Sequence, residues 1–149
     1  MTEQNFPLQL LLVEDNPNDA ELTIDALRET KLVNNVTWVK DGAEALELLL
    51  ANGKKDDPAR LLKLVLLDLR LPRVDGLDVL RAIRADRRTK LLPVVVLTSS
   101  REESDLVRAY GLGANSYLVK PVESETFLKA VAEVGLYWML LNRLPGETR

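Results

Sequence analysis

The feature that most restricts how this chain of 149 residues can fold is a set of five short apolar runs. Each run is followed by a segment with helical hydrophobic spacing. Strands that alternate with helices pair in parallel through right-handed crossovers, and the helices cover both faces of the sheet. The continuous apolar character of the runs agrees, because a sheet covered on both faces buries both sides of each strand. We therefore predict one α/β domain over residues 1–149 with a doubly wound, parallel, five-stranded sheet. The predicted strands are Gln9–Val13, Asn35–Val39, Leu64–Leu67, Val94–Leu97 and Ser116–Val119.

Helix start signals follow the runs. Asn16 precedes Pro17 and an acidic first turn, and Asp41 and Asp75 each precede a glycine and a helical pattern. Ser100 with Glu103 fits the capping-box pattern, which predicts the start of the fourth helix. The fifth helix is predicted to begin near Glu123, and with its tail it takes up residues of about 123–149.

The composition excludes several function classes. The chain has no histidine and no cysteine, which removes His-dependent nucleophilic catalysis, disulfides and thiolate metal sites. A formal net charge of −3 argues against a nucleic-acid partner. No apolar run approaches the roughly 20 residues of a membrane span, and the first residues are unlike a signal peptide. We expect a cytoplasmic protein with no membrane partner.

Polar residues leave four of the strands at their carboxyl ends, where open parallel sheets bind ligands. Three carboxylates close together repel unless a cation lies among them, and without histidine or cysteine the expected cation is Mg²⁺. A lysine and a hydroxyl beside them suit a phosphoryl group in transit, with the central aspartate as nucleophile. The residues are Glu14 and Asp15 after the first strand, Asp68 after the third, Thr98–Ser100 after the fourth and Lys120 after the fifth.

Each of these residues has an ordinary structural explanation when it is taken alone. Glu14 and Asp15 fit turn chemistry, Thr98–Ser100 fits a helix cap, and Lys120 fits a solvated side chain. Asp68 alone fits a strand-end aspartate that bonds nearby backbone. The functional interpretation rests on their coincidence at one end of the sheet.

Four motifs in this order resemble the receiver domain of two-component response regulators. The resemblance covers residues of about 8 to 135 and implies a flavodoxin-like (βα)5 sheet in the order 2-1-3-4-5. The motifs are LLLVEDNPND (Leu10–Asp19), LVLLDLRLPRVDGLDVL (Leu64–Leu80), PVVVLTSS (Pro93–Ser100) and GANSYLVKPV (Gly113–Val122).

The resemblance assigns roles residue by residue. Asp68 would accept the phosphoryl group from a sensor histidine kinase. Asp15 and Asp68 would bind Mg²⁺ directly, Glu14 through water, and the backbone carbonyl of Arg70 would complete the site. The protein would then be no enzyme in the ordinary sense, because it would catalyse only its own phosphorylation and dephosphorylation.

The resemblance also implies a switch. Thr98 would bond the phosphoryl oxygen, Lys120 would neutralise its charge, and the Lys120–Pro121 bond would be cis. Tyr117 would be the aromatic switch residue, although a half-buried core tyrosine is an alternative. Arg70 is less typical at its position: its side chain either covers the phosphoryl group and slows hydrolysis or points into solvent.

The last helix carries more apolar surface than docking on the sheet requires. One stripe, predicted to dock, contains Phe127, Val131, Val134, Trp138 and Leu141. The surplus predicts an interface, or a segment that folds back on the core, and consists of Leu136, Tyr137, Leu140 and Leu144. This tail and the segment Asn16–Thr23 resemble single-domain regulators of bacterial and cyanobacterial phytochrome kinases. That resemblance implies a homodimer through the fourth helix, fifth strand and fifth helix.

Three other classes are weaker. A phosphatase with an aspartyl nucleophile needs a second aspartate two residues further on, where this chain has Arg70. A pseudo-receiver that has lost the chemistry would show gaps in the acidic cluster. A transcription factor needs an output domain with a basic recognition helix, and we expect none here.

Overall fold

The computed structural model describes residues 10–29, 36–50, 62–143 and 145. Its strands are β1 (Leu10–Val13), β2 (Val36–Val39), β3 (Leu64–Leu67), β4 (Val94–Thr98) and β5 (Ser116–Val119). Its helices are α1 (Pro17–Arg28), α2 (Gly42–Leu49), α3 (Gly76–Ala85), α4 (Glu103–Gly111) and α5 (Glu125–Leu136), followed by a π-helical turn at Tyr137–Leu141. The strands form one parallel sheet in the order β2-β1-β3-β4-β5. The predicted fold class and strand order are confirmed.

The strand bounds match the sequence prediction closely. β4 continues one residue further than predicted, to Thr98. The predicted first residues of the first two strands, Gln9 and Asn35, lie outside the described residues, as does the whole of the polar stretch 52–60 before β3.

The sheet separates two apolar cores, as its continuous apolar strands require. In β3, Leu64 and Leu66 pack on the side of α1 and α5, whereas Val65 and Leu67 pack on the side of α2, α3 and α4. All four side chains are buried. Burial of one such side chain stabilises the fold by about 1.5–3 kcal/mol, so β3 holds the centre of the domain firmly.

Side-chain caps fix where α1, α2 and α5 begin. The Asn16 carboxamide oxygen accepts from two backbone amides of α1, and the Asp41 carboxylate accepts from the Glu44 amide at 2.7 Å, as predicted. The predicted cap of α4 is wrong: Glu102 is the residue before that helix, and Ser100 makes no cap bond to it. The Ser100 hydroxyl donates to the buried carboxylate of Asp105 at 2.6 Å, and its oxygen accepts from the Glu102 amide at 3.3 Å, one residue before the helix begins.

The end of α5 corrects the predicted docking stripe. Phe127 and Val131 are buried as predicted, but Leu141 is 65% exposed and Met139 is buried in its place. The π-helical turn explains the change, because its wider winding rotates later side chains away from the 3.6-residue spacing. Among the predicted surplus residues, Tyr137 is half exposed, whereas the Leu140 side chain and Leu144 lie outside the described part.

No helix in the described parts of the chain combines the length and the apolar character that a membrane crossing needs.

Candidate functional site

Two sheet strands carry a buried carboxylate each to the same edge. The amide of Asp68 donates to the Val13 carbonyl at 3.0 Å, and the amide of Glu14 donates to the Val39 carbonyl at 3.1 Å. The sheet hydrogen bonding therefore extends past the ends of β3 and β1 and fixes both residues. Carboxylate oxygens of Glu14, Asp15 and Asp68 lie within 4.8 Å of one another, with Asp15 exposed and the other two buried. The predicted acidic cluster is present.

Lys120 reaches into this cluster from the end of β5. Its Nζ lies 2.7 Å from Glu14 Oε1, 2.9 Å from Asp19 Oδ2 and 3.3 Å from Asp68 Oδ2. Its side chain is only 8% exposed. A buried ammonium ion is tolerated only when it is paired, so these carboxylates hold the lysine beside Asp68.

The electrostatics of the cluster follow from its burial. Burial, with the nearby charge of Asp68, raises the pKa of Glu14 to about 7 against the opposing effect of Lys120. Burial alone would lower the pKa of Lys120, but Glu14, Asp68 and Asp19 together raise it above its usual value. At neutral pH the lysine is therefore charged, and Glu14 is close to the midpoint of its titration.

The predicted switch residues lie beside the cluster. Thr98 is fully buried at the end of β4, and its carbonyl accepts from the Lys120 amide at 2.8 Å. Its Oγ1 accepts from the Ser100 amide at 3.2 Å. The half-buried Tyr117 donates its hydroxyl to the Ser100 carbonyl at 3.1 Å and stacks on Tyr110. Thr98 and Tyr117 thus meet at the loop that leads into α4.

Arg70 is exposed but does not point freely into solvent. Its side chain is 61% exposed, and Nη2 donates to Asp105 Oδ2 at 2.6 Å. Its backbone amide donates to Asp68 Oδ1 at 3.3 Å. The side chain is therefore held on α4, which is neither of the two alternatives expected from the sequence.

Gly76 allows the loop after β3 to close tightly behind Asp68. Its amide donates to the Leu69 carbonyl at 2.9 Å. A Cβ at this position would lie 2.3 Å from the Asp68 carbonyl oxygen and 2.5 Å from Leu69 Cα. Both are backbone atoms, so no side-chain rotation can relieve the contact, and only glycine fits here.

Sequence reasoning missed three residues. Asp19 was assigned only to the first turn of α1, yet it contacts Lys120. Its place in the first turn of the helix that follows β1, at the same sheet edge as Glu14, was the signal that could have found it. The Trp38 indole donates to the Glu14 carbonyl at 2.7 Å, and Asp105 binds both Arg70 and Ser100. Neither contact has a sequence signature.

The expected cis bond before Pro121 is wrong. The described residues contain no cis peptide bond, so Lys120–Pro121 is trans. The trans isomer is the one that X-Pro bonds favour by about 0.5–1 kcal/mol.

Comparison with known proteins decides the family. Residues 10–132 match the model of the response regulator receiver domain, which is most of the chain. The chain belongs to the response regulator receiver domain family. Receiver domains act in two-component systems, take phosphate from sensor histidine kinases and are not enzymes in the ordinary sense. The strand-end cluster described above occupies the edge of the fold where this family's site was expected.

Two curated relatives are similar over nearly their whole length. The probable methanogenesis regulatory protein FilR2 of Methanothrix harundinacea is 42% identical over 146 residues, which cover 97% of this chain and 92% of that protein. Response regulator Rcp1 of Synechocystis is 35% identical over 144 residues, 97% of both chains. The crystal structure of its Mn²⁺-bound form has a TM-score of 0.82 at 34% identity and covers 94% of this chain and 100% of that one.

A structure of the phosphorylated cyanobacterial phytochrome response regulator RcpA is also similar. Its TM-score is 0.80 at 34% identity, and the match covers 95% of this receiver domain and 100% of RcpA. Phytochrome-associated regulators are therefore among the homologues of this chain.

Proposed function

We propose that this receiver domain accepts a phosphoryl group from a sensor histidine kinase onto Asp68. The observation that carries the proposal is Lys120, whose Nζ lies within hydrogen-bonding distance of both Asp68 and Glu14 in a buried acidic cluster. An Asp68 oxygen attacks phosphorus while the bond from phosphorus to the histidine nitrogen breaks. Lys120 is placed to bond a transferred phosphoryl oxygen, and the Thr98 hydroxyl supplies a further donor. The complete set of acidic, hydroxyl and lysine residues argues against a pseudo-receiver.

The same cluster fits a magnesium ion. Its donors are hard carboxylate oxygens, which Mg²⁺ prefers, and Rcp1 has been crystallised with Mn²⁺. Asp15 and Asp68 would hold the ion directly, Glu14 through water, and Arg70 through its backbone carbonyl. When bound, the ion would supply positive charge that offsets the charge of the phosphoryl oxygens.

Magnesium affinity is expected to rise with pH through neutrality. Glu14 with a pKa of about 7 is largely protonated at pH 6, and it must lose this proton before its carboxylate can serve the metal. We expect Mg²⁺ to bind about fivefold to tenfold more tightly at pH 8 than at pH 6, as measured by calorimetric titration. The Glu14→Gln variant should bind more weakly and lose most of this dependence. Equal affinity of the wild type at the two pH values would contradict the assignment.

The proposed phosphoryl donor is a phytochrome-type kinase, on the strength of the similarity to RcpA. In a transfer assay from a ³²P-labelled bacteriophytochrome kinase, label should move to this protein with Mg²⁺ and stay on the kinase with EDTA. The Asp68→Asn variant should take up none. If label moved readily from an unrelated kinase and not from the phytochrome type, the partner would be of another class, as the similarity to FilR2 would allow.

A homodimer through α4, β5 and α5 is the proposed output form. Its support is exposed apolar surface: Val107 and Tyr110 on α4 are 59% and 49% exposed, and Tyr137 after α5 is 48% exposed. Surface of this kind, unless buried, favours association. Leu136, Leu140 and Leu144 remain predicted members of the interface.

The dimer is tested by sedimentation with matched surface variants. We expect Val107→Lys and Tyr137→Lys to weaken self-association at least about tenfold, because each introduces a charge into an apolar contact. Leu91→Lys is the control, since Leu91 is 63% exposed but precedes β4, at the opposite end of that strand from α4. Equal weakening by all three variants would contradict this interface.

A further inference from the structure

Asp105 is a buried carboxylate that the phosphoryl chemistry proposed above does not use. It lies in the first turn of α4 and is 5% exposed. Its Oδ2 accepts from Arg70 Nη2 and from Ser100 Oγ, both at 2.6 Å. A buried carboxylate costs stability unless it is paired, so these two short, charge-assisted bonds are what make its position tolerable.

Its two partners belong to different loops of the site. Arg70 stands two residues after the acceptor Asp68, and its backbone amide donates to the Asp68 carboxylate. Ser100 stands two residues after Thr98, and its backbone amide donates to the Thr98 hydroxyl oxygen. Asp105 therefore ties the loop that carries the acceptor to the loop that carries the switch threonine.

The tie extends to the predicted aromatic switch. The Ser100 carbonyl accepts from the Tyr117 hydroxyl at 3.1 Å. A shift of Ser100 therefore changes the hydrogen bond of Tyr117, which lies in β5 on the face proposed for dimerisation.

Phosphorylation of Asp68 would place a competing anion near Arg70. An acyl phosphate carries nearly two negative charges and three acceptor oxygens, and the planar guanidinium binds such oxygens in pairs. Arg70 is 61% exposed, so its side chain has room to change partners. The phosphoryl group carries more negative charge than the single carboxylate of Asp105, so it competes with that carboxylate for Arg70.

We propose that Asp105 is a positioning residue that holds Arg70 away from the phosphoryl site and is exchanged for the phosphoryl group when Asp68 is phosphorylated. The exchange weakens the contacts that hold Ser100. The hydrogen bonds of Ser100 with Thr98 and Tyr117 therefore change with the phosphorylation state. It also places Arg70 over phosphorus, where it hinders the attack of water. The proposal rests on the proposed phosphorylation of Asp68.

The lifetime of the phosphorylated protein measures this exchange. In hydrolysis a water oxygen bonds to phosphorus, the bond from phosphorus to the Asp68 oxygen breaks, and inorganic phosphate and the free carboxylate result. The protein is phosphorylated with acetyl phosphate and Mg²⁺, the donor is removed, and the phosphorylated fraction is followed by intact mass. The Asp105→Asn variant frees Arg70, and its phosphorylated form is expected to last about fivefold longer than the wild type. Arg70→Gln is expected to shorten the lifetime.

The double variant separates coupling from structural damage. Asp105→Asn with Arg70→Gln should match Arg70→Gln alone, because Asp105 acts on the lifetime only through the guanidinium. Glu103→Gln removes a negative charge from an exposed position in the same helix turn and should match the wild type.

Two results would overturn the proposal: no longer lifetime in Asp105→Asn, or the same lengthening when Arg70 is already glutamine. If Asp105→Asn fails to fold, the Arg70→Gln variant alone tests the proposal. An unchanged lifetime of the phosphorylated form in that variant would rule out the proposed exchange. Absence of any mass gain in the wild type would instead refute the phosphorylation of Asp68. The two failures are thus distinguishable.

Discussion

Replacement of Lys120 by methionine is expected to slow phosphoryl acceptance on Asp68 by at least about a hundredfold, the usual cost of losing a preorganised charged donor. The ammonium lies 3.3 Å from the Asp68 carboxylate and is nearly buried, so neither water nor a neighbouring side chain can easily replace it. The rate is measured by intact mass with acetyl phosphate and Mg²⁺. Lys129→Met, which removes an exposed lysine from α5, is the control and should react at the wild-type rate.

The same variant should be less stable, and the loss should grow with pH. Without Lys120, the carboxylates of Glu14 and Asp68 are buried with no cation, and breaking a buried pair costs about 3–5 kcal/mol. The folded state then favours the protonated form of Glu14 even more strongly than in the wild type, where burial already raises its pKa to about 7. A carboxyl with a raised folded pKa loses folding free energy as pH rises from its unfolded pKa of about 4.3 through the folded value.

Urea unfolding at pH 5.5 and pH 8 measures that effect. The difference in unfolding free energy between wild type and Lys120→Met should be clearly larger at pH 8. An equal difference at both pH values would mean that the lysine contributes packing and not charge compensation.

Gly76→Ala is expected to destabilise the fold by about 3 kcal/mol and to slow phosphorylation as well. The added methyl group would stand 2.3 Å from the Asp68 carbonyl oxygen, so the loop behind the acceptor has to move. A displaced loop moves Asp68 relative to Lys120, and small displacements of reacting groups are costly in rate.

Gly111→Ala is the matched control for this substitution. Gly111 ends α4, and a Cβ there meets nothing within 4 Å. Alanine should stabilise the helix by about 0.5–1 kcal/mol at this position. Urea unfolding of the two variants therefore should give changes of opposite sign. A loss in both variants would show that the close contact at Gly76 is not the cause.

The sheet and most of the acidic site were predictable because they depend on local patterns. Leu64–Leu67 is apolar on both faces and is followed directly by Asp68. Adjacent residues therefore predict both the buried strand and the polar side chain at its carboxyl end. Parallel pairing then brings Glu14 and Asp68 to one edge, whatever the loops do. The same rule, applied to the first turn of α1, would have included Asp19.

Sequence patterns could not predict the contacts that flexible side chains make between residues far apart in the chain. The bond between Arg70 and Asp105 joins residues 35 positions apart, and nothing in either segment marks the other. The start of α4 was misplaced for a related reason, since the Ser100 side chain bonds the Asp105 carboxylate and the Glu102 amide and no amide within the helix. The π-helical turn after α5 shifts the buried face from Leu141 to Met139, which a fixed helical period does not anticipate.

The most direct test of the central claim is the intact mass of the protein after incubation with acetyl phosphate and Mg²⁺, with Asp68→Asn treated in parallel. We predict a gain of one phosphoryl group in the wild type and none in the variant. No gain in the wild type, or an equal gain in the variant, would contradict phosphorylation at Asp68. The former result would favour a pseudo-receiver whose apolar tail surface is the main guide to its function.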